Sequence, residues 1–430
     1  MPRAVFDFEV VTPMFLSGPR PAAPAELRPP SIRGAMRFWF RAMMGAVLPS
    51  LSVDQVYALE SRVFGNTRFG SSVKIRVARL DPWSAYGGCT PDSDCEGHMT
   101  FSPQEFPGVV YLCGQGLLRY SHGDGCFHPR RGYVEPASRF RLDLASPSQK
   151  VLDIATGCLQ LMQWFGGLGA RTRRGLGCVS CKAFRPPAGQ PFGRWLDASL
   201  DGVRALFVAF AGEDGNANES GNAVLSRYST LRPGFYKLAA FDLGPVGSWQ
   251  QALDRLGCLL RLYRNDGDTL GDTTPDYRQT VAPFMDGKSH SIGRVYTLRN
   301  HVFGLPYQVS SGSRAAPNAP RPTAGVRWER NVGDAVERGD RRASPLWLRP
   351  VPTRDGWKAV VMVMRAKFLP AGATCFLKAI GRGWDPPWAD GPPRPTDVMV
   401  SGIGVDQIKV VERFIDWLGG PGRLRAVGES

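Results

Sequence analysis

A chain of 430 residues exceeds what one hydrophobic core usually fills, so two domains of about 200 residues each are expected. Hydrophobic residues make up 43% and charged residues 21%, which excludes a disordered chain, while 53 Lys and Arg against 38 Asp and Glu leave a net charge of +15 that attracts polyanions. Nucleic acid is the expected partner, and a membrane is not: no run approaches the roughly eighteen apolar residues of a span, and the opening MPRAVFDFEVV lacks a signal-peptide pattern. Nine irregularly spaced cysteines do not read as a secreted disulfide framework, so a cytoplasmic protein with reduced thiols is expected.

The chain opens on an alternating strand, Ala4 to Val11. Pro29-Pro30-Ser31 reads as a breaker and N-cap, and Ile32, Met36, Phe40 and Met43 form a helical stripe over 31–47. Ser52 and Gln55 are spaced for a capping box at the head of a second helix, 52–64, and Val73 to Val77 alternates like a strand. Residues 81–132 read as a Cys/His-rich insertion, broken only by a strand or hairpin at Val109 to Tyr120. Arg139 to Leu144 is again a strand, Gln149 to Phe165 a helix, and Cys178 to Phe184 closes the sheet. The extra helix aside, this order is a ferredoxin-like βαββαβ unit.

Weak periodicity over 186–233 predicts a linker or decoration. A second unit over 234–430 then offers strands at Phe235 to Leu243 and Trp357 to Phe368, helices at Ser248 to Tyr263 and Val405 to Leu418, and a mobile loop at Gly312 to Gly325. The run Trp164-Phe165-Gly166-Gly167-Leu168-Gly169 is echoed by Trp417-Leu418-Gly419-Gly420-Pro421-Gly422, which suggests duplication. The expected class is α+β, two tandem ferredoxin-like (RRM-like) domains with insertions, the first over 1–185.

Two basic elements stand out. Between a helix and a strand lie Gly166, Gly167, Gly169, Arg171, Arg173, Arg174, Gly175 and Gly177. Glycines let a phosphodiester approach the backbone, and guanidinium forks hold phosphate oxygens bidentately. The run lacks the Gly-Lys-Ser/Thr of a nucleoside-triphosphate loop, and a flexible solvated turn is the bland alternative. On helix 31–47, Arg33, Arg37 and Arg41 recur every four residues on one face with no acid among them to relieve their repulsion. An external anion would relieve it; Arg stems lying over apolar neighbours are the alternative. In a ferredoxin-like sheet the last strand pairs with the first, which would bring both elements to one basic groove.

The segments Thr12-Pro13-Met14-Phe15-Leu16-Ser17-Gly18 and Glu26 to Trp39 resemble the opening of the first Cmr subunits of type III-B CRISPR effectors. The run at 166–177 is similar to the glycine-rich loop of RAMP proteins, and Arg341-Arg342-Ala343-Ser344-Pro345-Leu346 resembles a further family segment. The resemblance implies two tandem RAMP domains that bind guide crRNA toward its 3′ part, help engage target RNA in antiviral defence, and sit beside other Cmr RAMP subunits. Catalysis in such complexes belongs to another subunit, so no catalytic residue is expected here. The matching positions imply RNA contact at Arg33, Arg37, Gly166, Gly167, Gly169, Arg171, Arg173, Arg174, Gly175, Arg341 and Arg342; Arg41 joins them on its helix face. The second glycine run carries Pro421 and no Arg-Arg-Gly triplet, which puts strong RNA binding there in doubt.

Two alternatives remain. A metal-independent RAMP endoribonuclease that processes guide RNA would need a general base, and His301 is the least implausible histidine for one outside the insertion, with a structural role favoured for it. A protein-docking scaffold would use Trp384, Pro386, Pro387 and Trp388. No cofactor is expected. Cys89, Cys95, His98, Cys113, His122, Cys126 and His128 crowd the insertion, but their spacings lack a C-x2-C pair, so free thiols are the first reading and zinc the second.

Overall fold

Strand β1 (Arg3–Val10) turns Ala4, Phe6, Phe8 and Val10 toward the core, as its alternation dictates. The structure, a computed structural model, describes residues 1–212 apart from 91–94, 96 and 115, residues 228–265, and, within 298–427, all but 299, 305–306, 311–322, 333–334, 340–341, 368, 371, 381–397 and 401–404. The chain divides into two units, Met1–Leu259 with Leu346–Met364 and Ile415–Ser430, and Leu260–Pro345 with Arg365–Phe414.

In the first unit β1 leads through the short β2 (Met14–Phe15) to helices α1 (Pro29–Val47) and α2 (Val53–Phe64) and strand β3 (Lys74–Leu80). The insertion follows, with β4 (Ala85–Tyr86), α3 (Pro107–Cys113), β5 (Leu118–Tyr120), β6 (Phe127–Pro129) and β7 (Tyr133–Val134). Strand β8 (Arg139–Ala145), helix α4 (Gln149–Phe165) and strand β9 (Val179–Cys181) complete an antiparallel sheet ordered β3-β8-β1-β9. Phe8 faces Phe140 across β1 and β8 with ring centroids 5.4 Å apart.

Helix α1 begins two residues before the expected cap. Arg28, not Ser31, is its N-cap, because Pro29 and Pro30 occupy the first turn, where their fixed φ suits a helix and a missing N–H costs nothing. At α2 both halves of the capping box form: Ser52 Oγ accepts from Gln55 N at 3.2 Å and Gln55 Oε1 from Ser52 N at 2.8 Å.

Helix α5 (Phe192–Ala211) occupies the segment read as linker or decoration. Its stripe Leu196, Leu200, Val203, Phe207 and Phe210 is buried, with Phe207 5.6 Å from Phe40 and Trp195 5.6 Å from Trp164. Residues 109–113, expected to begin a strand or hairpin, belong instead to α3. Asp254, on helix α6 (Trp249–Arg264), accepts from Gly108 N at 2.6 Å and Val109 N at 3.3 Å, capping α3 from 146 residues away. Tertiary capping overrides the β-propensity of the Val-Val-Tyr run.

The two helices cross at Gly108 and Gly257, where a Cβ on Gly257 would strike the backbone of Gly108. Gly257→Ala is therefore expected to destabilise the protein by about 1–3 kcal/mol in urea unfolding, the usual cost of forcing atoms into a packed contact. Alanine at Gly202, which has open space on α5, should be neutral or slightly stabilising.

A second four-stranded sheet lies in the same unit. It uses β10 (Tyr236–Asp242), and, later in the chain, β14 (Leu346–Thr353), β15 (Gly356–Met364) and β18 (Arg425–Ala426), in the order β14-β15-β10-β18. With α6 and helix α7 (Val405–Leu418) between its strands in sequence, the second sheet repeats the strand order of the first.

The remaining strands, β11 (Tyr307–Ser310), β12 (Thr323–Val332), β13 (Ala335–Gly339), β16 (Thr374–Ile380) and β17 (Val398–Val400), form the sheet of the second unit, with β12 at its centre. Part of the expected mobile loop is thus strand: Thr323 to Gly325 belong to β12, and 312–322 lie outside the described residues. In this unit Arg365 is paired with Glu412. Among the described residues no helix is long and apolar enough to cross a membrane.

Candidate nucleic-acid interface

The loop 166–177 enters β9, and the opening Thr12 to Phe15 staples it. Thr12 Oγ1 donates to Gly175 O at 2.8 Å and accepts from Cys178 N at 3.0 Å; Gly177 N donates to Pro13 O and Ala170 N to Phe15 O, both at 2.9 Å. The glycines serve this packing. At Gly169 (φ 95°) and Gly177 (φ 64°) the backbone is left-handed, and a Cβ would strike Phe15 O and Leu168 O respectively. Gly166, Gly167 and Gly175 are buried against the chain itself, which leaves Gly169 as the exposed glycine of the five from 166 to 177.

Strand β14 holds the loop from its other side. Leu348 N donates to Arg173 O at 3.0 Å, and buried Arg349 donates to Gly166 O at 2.6 Å and Val179 O at 2.5 Å, the carbonyls at the loop's entry and just past its end. The three loop arginines therefore differ. Arg173 lies over Trp347 (4.4 Å) and Phe38 (5.5 Å), and burial pushes its guanidinium down to about 10. Arg174 is half-buried and bridges to Leu348. Arg171 is exposed as a residue, yet partial burial of its guanidinium lowers its pKa, with Cys113 opposing and the neighbouring cation of Arg131 adding to the fall. Arg131, exposed in the insertion, carried no sequence signal: only the fold sets it beside Arg171.

The α1 stripe has an acid after all. Buried Glu60 of α2 lies 3.3 Å from Arg37 Nη1 and 3.3 Å from Arg41 Nε. Arg37 also donates to Phe64 O (2.9 Å) and Gly65 O (2.5 Å), where the C-terminal end of α2 favours a cation. The expectation of an unrelieved stripe fails because the relieving acid comes from another helix, 23 residues on from Arg37. Arg37 is committed to α2, Arg41 remains exposed, and Arg33 is half-buried. The loop and α1 do meet, since Trp39 underlies Gly166 and Phe38 lies beside Arg173.

A cavity of about 730 Å³ opens beside the loop's far end. Trp164, Phe192 and Trp195 line it together with Arg185 and Arg354, an aromatic and basic mixture of the kind on which an unpaired base can stack while its phosphate is held. Sequence reading missed Arg349, although an arginine inside the apolar run Leu346-Trp347-Leu348 is a signal.

Of the other candidates, Arg341 lies outside the described residues, as do Trp384, Pro386, Pro387 and Trp388, while Arg342 sits over Trp328 at 5.3 Å. His301 is fully buried in a 3-10 turn, away from solvent and any RNA hydroxyl. In the insertion Cys89, Cys95 and His128 converge, with His98 beside Cys89. Cys113 is buried in α3, its thiol pushed up to about 12 by burial, His122 packs on Tyr120, and Cys126 is a half-buried thiol.

Residues 7–180 match the RAMP superfamily. Over 232 residues the chain is 28% identical to the CRISPR system Cmr subunit Cmr1-1 of Pyrococcus furiosus, covering 53% of this chain and 63% of that protein. It is 27% identical over 187 residues to Cmr1-2 of the same organism, covering 43% of this chain and 98% of that one. The crystal structure of apo Cmr1 from P. furiosus shares the fold, with a TM-score of 0.51 at 20% identity over 96% of this chain and 97% of that one. The chain is thus similar to RAMP proteins over residues 7–180 and to the Cmr1 subunits over about half of its length.

Proposed function

We propose that this protein is the Cmr1-type RNA-binding subunit of a type III-B CRISPR effector, two RAMP domains in tandem over 1–185 and 234–430. It contacts guide RNA toward the 3′ part, helps engage target RNA beside other Cmr RAMP subunits, and leaves cleavage to them. The observation that carries this reading is the stapled loop. Its backbone is fixed on both sides, and it presents Arg171 next to Arg131, two cations whose mutual repulsion a phosphodiester relieves. Arg33 and Arg41 extend the same proposal to α1, whereas Arg37 and Arg173 act through the fold.

In the second glycine run Arg423 folds onto its own Trp417, 3.8 Å from the ring, and donates to Trp417 O at 2.9 Å. Each phosphate contact on a single strand is worth about 0.7 in the slope of log affinity against log salt. Arg171→Ala with Arg174→Ala is therefore expected to flatten the slope for guide RNA by about 1.4, and Arg423→Ala with Arg425→Ala by less than half of that. A salt series on both variants, with folding checked by circular dichroism, measures this. A greater loss of slope from the second pair, or none from the first, would refute the assignment.

A further inference from the structure

The insertion brings four metal-ligating side chains together from three separate segments. Cys89 follows β4 and is tied to β6 by its own N–H, which donates to Pro129 O at 2.7 Å. Cys95 and His98 are linked by a hydrogen bond from His98 N to Cys95 O at 3.1 Å. His128 stands on β6 itself. The ligand atoms of Cys89, Cys95 and His128 all lie within 4.8 Å of one another, and His98 Nδ1 is 3.5 Å from Cys89 Sγ. Tetrahedral zinc, with bonds of about 2.0–2.3 Å, needs its ligand atoms about 3.3–3.8 Å apart.

His128 supplies the independent observation. It is 7% exposed, and its Nε2 meets Asp124 Oδ2 at 2.7 Å, so the carboxylate holds the proton on Nε2 and the lone pair falls on Nδ1. That Nδ1 is buried with no hydrogen-bond partner among the described residues. A carboxylate behind one ring nitrogen and an open lone pair on the other is how a metal-binding histidine is set. Asp124 is in turn fixed by Cys126 N at 3.1 Å, and the ring of His98 is seated against Tyr86 at 4.9 Å.

We propose that Cys89, Cys95, His98 and His128 form a structural zinc site that ties the insertion together, with Asp124 orienting His128. Two thiolates and two imidazoles are a donor set that selects zinc over hard divalent ions. The sulfurs of Cys89 and Cys95 touch, so a disulfide is the competing state. A disulfide has no strong donor or acceptor to offer the two imidazoles and leaves His128 Nδ1 unsatisfied, whereas zinc accounts for all four groups.

The test uses the full chain purified in reductant without added metal. Elemental mass spectrometry should find about one zinc per chain, and replacement by Co2+ should produce thiolate-to-cobalt charge-transfer bands with the intense visible bands of a tetrahedral ion. His128→Ala and Cys89→Ser should lose the metal, and His122→Ala and Cys126→Ser should retain it. Asp124→Asn, which keeps the ligands, should bind zinc about 10–100-fold more weakly in a chelator competition, a readout that survives if the ligand variants fail to fold. Full loading of His128→Ala, or unchanged affinity in Asp124→Asn, would overturn the proposal. So would a reduced chain that takes up no stoichiometric Zn2+ or Co2+, or a metal-free chain in which thiol titration finds Cys89 and Cys95 oxidised.

Discussion

Arg349→Ala is expected to destabilise the protein by about 3–5 kcal/mol. The side chain is 2% exposed and spends both terminal nitrogens on Gly166 O and Val179 O. Its loss leaves two buried carbonyls unsatisfied at about 1–3 kcal/mol each and opens a void between the sheets of the first unit. Release of a buried cation offsets part of this, since burial holds the Arg349 guanidinium below its ordinary pKa and no carboxylate partners it among the described residues. Arg349→Met separates the contributions, because it fills space without donating. Urea unfolding should place Met between alanine and wild type, and Arg354→Ala, exposed on the same hairpin, within about 0.5 kcal/mol of wild type. A methionine variant as stable as wild type would show that packing, not the two hydrogen bonds, holds the loop.

Arg37→Ala should cost about 2–4 kcal/mol near pH 8 and less near pH 5. Removing it takes two hydrogen bonds from the end of α2 and leaves Glu60, 2% exposed, with Arg41 as its remaining cation. Burial raises the Glu60 carboxyl above its ordinary value, and Arg41 and Arg37 pull it back. A carboxyl whose folded pKa lies above its unfolded one favours the folded state fully at pH below the unfolded value, and that contribution is lost as pH rises through the folded value. Without Arg37 the folded value climbs further, so the variant is relieved by protonation at acid pH and penalised as the carboxyl ionises. Chemical denaturation of the variant and wild type at pH 5, 6.5 and 8 measures the trend. A penalty that is flat or grows toward acid would contradict it, and Glu60→Gln in the Arg37→Ala background should abolish the pH dependence.

Elements that bury one face were legible. Strand β1 alternates, α1 and α4 carry apolar stripes, and the Ser52 to Gln55 box marks α2, each a pattern written within a few residues. Helix α5 carried its stripe as openly and was hidden by the Pro-rich and Gly-rich stretches around it. Strand β14 was harder: Pro350 and Pro352 argue against a strand, and they are tolerated because β14 is the edge of its sheet. Helix α3 was not legible, since its cap is Asp254.

The sequence by itself determined the excess of positive charge, the principal helices and strands of the first sheet, and the glycine-arginine loop with its resemblance to the glycine-rich loop of RAMP proteins. Only the tertiary structure decided which arginines are spent on the protein. Arg37 is answered by Glu60, Arg173 by Trp347, and Arg171 gains Arg131 as a neighbour, all through approaches between separate segments. The same holds for the insertion, where Cys89 and His128 are 39 positions apart in sequence and adjacent in space. Backbone periodicity is a local property of a chain, whereas an ion pair, a ring stack or a metal site forms wherever folding brings its partners within a few ångströms, and no spacing rule records that.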